Sequence, residues 1–221
     1  MILTPIARDQ LIPALDRFAA GLRDPSPRAL FAQIRATSPD REEGKEAGRH
    51  RVAAVEFAQR CGVPVHPFGT ACRFNWDGVA LTPDTEAYVI LHEVAHFLLA
   101  PPERRRLIDF GLGPGPDTID RTAAERAACV PVLEREADEA LASLAGILWE
   151  ARLGQPALAS FLDQNWLEGG DRAPAHFAAV AARLYGRGLL AFDPLWMRSR
   201  PSPQYAALTC TSAFHRATSK T

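Results

Sequence analysis

The segment His92-Glu93-Val94-Ala95-His96 pairs two imidazoles with a carboxylate at a spacing that can do chemistry. In an α-helix, residues four apart share a face, so both rings can be directed at one ion while Glu93 stands beside them. Neutral imidazole suits zinc, iron, copper or nickel, and two nitrogens on one rigid helix lose little further freedom on binding. The spacing therefore predicts a mononuclear metal centre with His92 and His96 as ligands. Two protein ligands make a weak site, so a third is expected from another element.

The candidates lie in Glu134-Arg135-Glu136-Ala137-Asp138. Glu134 and Asp138 are four apart on one predicted helix, which lets Glu134 ligate the ion while Asp138 accepts the outer N–H of a ligand histidine. Glu136 is the competing ligand, and Asp109 is a further candidate in a supporting position. The bland alternative is a solvated acidic helix face. The segment resembles the Glu-x-x-Ala-Asp stretch that follows the His-Glu motif in zinc metallopeptidases of the gluzincin kind.

The elements that position these residues are predominantly helical. Helical periodicity predicts helices over 6–22, 26–36 and 41–61, then short strands over 63–66, 72–76 and 78–81, where glycine and proline punctuate apolar runs. The metal helix follows, with Asp84 or Thr85 as N-cap and Pro101-Pro102 as its end. A short basic helix over 103–110, a turn-rich loop over 111–117 and helices over 122–128, 130–151, 157–166 and 173–190 complete the chain. The expected fold is α+β, predominantly α-helical, with a zincin-like metal helix beside a small β-sheet. Residues 1–61 form an N-terminal helical region, 62–192 the metal-site core in one compact domain with it, and 193–221 a poorly ordered tail rich in proline, serine and threonine.

Composition excludes several classes. With 25 basic against 26 acidic residues in 221, there is no electrostatic pull toward nucleic acid or an anionic membrane. No apolar run reaches the length of a membrane span and no secretory signal opens the chain, so a cytoplasmic protein is expected. Cys61, Cys72, Cys129 and Cys210 are scattered, as structural thiols would be. His176, in a helical pattern, and His215, in the tail, read as ordinary surface or core histidines.

Reading on from the motif gives Phe97, Ala100, Arg104-Arg105, Leu107 and Asp109-Phe110-Gly111. This pattern of about twenty residues resembles the elongation factor P hydroxylase family, and nothing in chelation requires two arginines and an Asp-Phe-Gly at those distances. Where that family has an aromatic run, this chain has Leu112-Gly-Pro-Gly-Pro116, and its N-terminal helices are additional. The resemblance implies an iron-dependent hydroxylase acting on a modified lysine of a translation factor, with His92, His96 and Glu134 as ligands and Glu93 handling protons. A zinc hydrolase, most naturally a peptidase with Glu93 as general base, uses the same ligand set. A metal-stabilised binding module is the non-enzymatic alternative, though a purely structural two-histidine site has no need of Glu93.

Overall fold

A computed structural model describes residues 6–115 and 118–190. Its elements are α1 (Arg8–Gly21), α2 (Pro25–Arg35), α3 (Gly44–Arg60), α4 (Ala87–Leu99), α5 (Arg121–Ala127), α6 (Val132–Arg152), α7 (Ala157–Asp163) and α8 (Ala173–Gly186), with short 3-10 turns between α4 and α5 and between α7 and α8. None of these helices is long and apolar enough to cross a membrane. The tail expected to be poorly ordered lies outside the described residues.

The expected sheet is not there. Among the described residues, the segment before α4 pairs only through isolated bridges, Val65 with Leu81 and Trp76 with Leu81. Pro64 and Pro67 have no N–H to give to a ladder, and left-handed glycines at 69 and 78 turn the chain before a strand can extend. The segment is instead a knot around buried Leu81, whose N–H donates to the Pro64 carbonyl and whose carbonyl accepts from His66, each at 2.9 Å. Asp77 braces it by accepting from the N–H groups of Val79 and Ala80 and meeting the His66 ring at 2.8 Å. The fold is thus helical rather than α+β.

Two local expectations also change. Helix α4 starts after Glu86, with no side-chain cap, because Asp84 accepts from the Gly69 N–H instead. The predicted helix over 103–110 is two 3-10 turns, Arg104–Arg106 and Ile108–Gly111. In the second, Asp109 and Phe110 have φ of 46° and 55°, a left-handed conformation that sequence patterns reserve for glycine.

The core is one apolar cluster running from Leu15 to Leu190. At one end Phe18, Phe31, Phe161 and Phe177 from α1, α2, α7 and α8 pack in tilted and edge-on pairs, with centroids 4.7 to 6.3 Å apart. Toward the other end α4 packs between α3 and α6, as its wholly apolar residues Ile90, Leu91, Val94 and Ala95 require. Gly146 lets α6 come close: a Cβ there would stand 3.2 Å from the His92 nitrogen. This crossing aligns α6 with the histidine face of α4.

Candidate metal centre

His92 and His96 lie one turn apart on α4 with their Nε2 atoms 2.9 Å from each other. The third group is Glu139, whose Oε2 is 3.3 Å from His92 Nε2 and 3.4 Å from His96 Nε2. Bonds of about 2.1 Å at tetrahedral angles put neighbouring ligand atoms about 3.4 Å apart, and right angles put them about 3.0 Å apart. The triangle therefore has the size that one transition ion needs, and two nitrogens with one carboxylate oxygen fit both zinc and ferrous iron. Among the described residues it is the one group of at least three histidine, cysteine or acidic side chains gathered this closely.

The carboxylate expected from Glu134 thus comes from Glu139. Glu134 lies on the exposed first turn of α6, and Glu136 is exposed too. At about 100° per residue, Glu139 falls within about 20° of Gly146, which faces α4, whereas Glu134 is about 120° away. The signal that identifies Glu139 is the phase of the buried stripe Ala142, Gly146 and Trp149, extended back toward the start of the helix. Asp138 does not receive a histidine N–H either. It accepts from Arg104 Nη1 at 2.9 Å.

Burial and charge divide the triad unequally. Burial pulls the His92 pKa down, but the Glu139 hydrogen bond and charge, with the charge of Glu93, carry it above the ordinary value. Burial wins at His96, which is 4 % exposed, and holds it below. Burial opposes ionisation of Glu139, yet the two imidazoles hold its carboxyl far below the usual range. A carboxylate kept ionised against two imidazoles is a donor set ready for a divalent cation.

A pocket of about 450 Å³ opens over the triad. Glu93 lines it, its carboxyl pushed up to about 8, first by burial and then by the neighbouring charges of Asp109 and Glu139, against His92 and an Asn75 hydrogen bond. Asp109 lines it too, pushed up to about 6 by burial even though Thr118 donates to its carboxylate at 2.9 Å. Phe110 stacks on Trp76 at 5.1 Å and tilts over His96 at 5.7 Å, closing the inner wall.

The outer wall holds residues that sequence reasoning passed over. Trp166 lies between Phe161 and His176, and its indole N–H donates to Ser143, one turn beyond Glu139. Tyr88, in the first turn of α4, lines the pocket under the Arg41 guanidinium, 3.7 Å above its ring. Glu168 also contributes, so the described lining carries Glu93, Asp109, Glu139 and Glu168 but no lysine or arginine. No signal of periodicity or spacing links 164–176 to the metal helix.

Cys61, buried on α3, has its thiol pushed up to about 12 by burial, in keeping with a structural role. Comparison of the chain with protein-family models, curated proteins and solved structures gave no match to any of them.

Proposed function

We propose that the chain is a metal-dependent enzyme that hydroxylates an amine-bearing protein side chain, with His92, His96 and Glu139 holding the ion. The observation that carries this reading is where the residues of the elongation factor P hydroxylase pattern stand. Asp109 lines the pocket, Phe110 packs over His96, and Arg104 bonds to the residue preceding Glu139. Chelation alone requires none of them, yet they surround the triad. Asp109 and Glu168, the lining carboxylates left once Glu139 is taken as a ligand and burial keeps Glu93 protonated, suit an ammonium group, as the modified lysine of a translation factor would offer.

Iron held by this set would supply activation of dioxygen. The chain's own groups do the rest. The pocket of about 450 Å³ has room for a long side chain, Phe110, backed by Trp76, keeps water from the inner wall, and Glu93 can hold or release a proton near neutral pH.

A zinc hydrolase is the second reading, favoured by the same Glu93, whose place beside His92 is that of a general base. A peptidase usually aligns an extended substrate along a sheet edge, and among the described residues only isolated bridges precede α4. The described residues thus offer an extended peptide no sheet edge to align on.

The test is metal content by plasma mass spectrometry on tag-free, anaerobically purified protein. Incubation with dioxygen, a reductant and the modified translation factor follows. Near-stoichiometric iron and a gain of one oxygen atom in the substrate protein are expected. Stoichiometric zinc with no such gain would move the assignment to the hydrolase, and Glu93→Gln should then bind metal without turnover.

A further inference from the structure

We infer that Arg104 is a positioning residue that sets the third ligand and the inner wall of the pocket together. This rests on the reading of His92, His96 and Glu139 as a metal site. The guanidinium makes two directed bonds to different elements: Nε donates to the Phe110 carbonyl and Nη1 to Asp138 Oδ2, both at 2.9 Å. Both partners of the ion pair are shielded, with side chains 17 % and 16 % exposed, so the pair is worth more than a surface contact.

Glu139 needs such a tether. The buried residues of α6 begin only at Leu141, the helix has no side-chain N-cap, and Val132, Leu133 and Glu134 are exposed. Core packing thus fixes α6 from Leu141 onward and leaves the turn bearing Glu139, itself 48 % exposed, only the partly buried Ala140 as apolar anchorage. Asp138, the adjoining residue, is the point where that turn is tied down. Arg135, donating to the Leu112 carbonyl at 3.3 Å, is a weaker second tie.

The other arm works on the wall. Asp109 and Phe110 are left-handed, a conformation that strains non-glycine residues. Arg104 Nε holds the Phe110 carbonyl, and the Asp109 N–H donates to the Trp76 carbonyl at 3.0 Å. Released from Arg104, this turn has less to hold Asp109 in the pocket and Phe110 over His96. A lysine cannot replace the function, since its single ammonium lacks the planar fork that reaches two fixed acceptors.

The experiment measures Zn²⁺ affinity by chelator competition and the Co²⁺ absorption spectrum for full-length wild type, Arg104→Met, Arg104→Lys, Asp138→Asn and the Arg104→Met/Asp138→Asn double variant. Leu184→Ala, a buried change in α8, is the control for lost stability alone. Arg104→Met and Asp138→Asn are expected to weaken Zn²⁺ binding on the order of 10- to 100-fold, with the double variant little worse than either. The Co²⁺ bands should shift in both, Arg104→Lys should recover only part of the affinity, and Leu184→Ala should lower Tm without moving either readout. Affinity within threefold of wild type in Arg104→Met, or an equal loss in Leu184→Ala, overturns the inference. If Arg104→Met does not fold, unchanged affinity in both Arg104→Lys and Asp138→Asn does the same. Wild type that binds neither ion sinks the metal-site reading itself, a failure visible before any variant is made.

Discussion

Gly146 and His92 meet where α6 crosses α4, so closely that a methyl group on Gly146 would press on the His92 backbone at 3.2 to 3.3 Å. Helix propensity alone favours alanine over glycine by about 1 kcal/mol. Packing reverses the preference here, because the neighbour is backbone and cannot swing aside. With that gain set against an overpacking cost of about 1 to 3 kcal/mol, Gly146→Ala is expected to lower stability by up to about 2 kcal/mol and to weaken metal binding by shifting Glu139 against the histidines. Thermal melts and chelator competition check both; a variant as stable as wild type with unchanged affinity would show that the crossing has slack.

The ligand assignment predicts a sharp contrast within one helix. Glu139→Ala should reduce Zn²⁺ or Fe²⁺ affinity at least about 100-fold, more than losses typical of supporting residues, while Glu134→Ala and Glu136→Ala leave it unchanged. Isothermal titration of the three variants decides this, and a loss at Glu134 matching that at Glu139 would return the assignment to the first turn of α6.

Protons compete with the ion. The His92 pKa in the metal-free protein lies above the ordinary imidazole value, so His92 takes up a proton already above that range as pH falls. Metal affinity is expected to decline with falling pH from that point, with a proton taken up for each ion released. Glu139→Gln removes the carboxylate that raises His92 and should move the onset to lower pH. An onset that does not move would show that Glu139 is not the partner that raises His92.

Glu150 makes a separate claim on pH. It is 2 % exposed, its Oε2 has no partner, and burial pushes it up to about 7, against a Ser160 hydrogen bond and the charge of Arg41. Its folded pKa exceeds the ordinary 4.5, so the folded state binds the proton more tightly. The resulting stability is full below about pH 4.5 and is lost as pH rises through 7, on the order of 3 kcal/mol in all. Glu150→Gln has no such proton to lose, so its Tm should fall less than that of wild type between pH 5 and 8, measured with chelator present. Parallel curves for the two proteins would remove Glu150 as the source.

The histidine pair and its helix were legible because spacing of four and an apolar stripe act locally along one element. Glu139 was not, because Glu134, Glu136, Asp138 and Glu139 crowd one acidic stretch and only the approach of α4 at Gly146 says which faces it. The sheet was misread because apolar runs broken by Pro64, Pro67, Gly69 and Gly78 have strand composition but no continuous donors for a ladder. The left-handed turn at Asp109 and Phe110 had no local mark at all. Its conformation is imposed by Arg104, Trp76 and the N–H groups of Cys129 and Val130, which both donate to the Gly111 carbonyl.

The start of α6, uncapped by any side chain and free of buried residues before Leu141, is where backbone hydrogen bonds are first expected to break and reform with solvent. An ion joining Glu139 to α4 would close that end like the last tooth of a zip. Amide exchange over residues 132–140 would then slow in proportion to occupancy while the rest of α6 stays unchanged. Ion binding in this protein would thus be readable in the fraying of one helix end, with no need to see the metal.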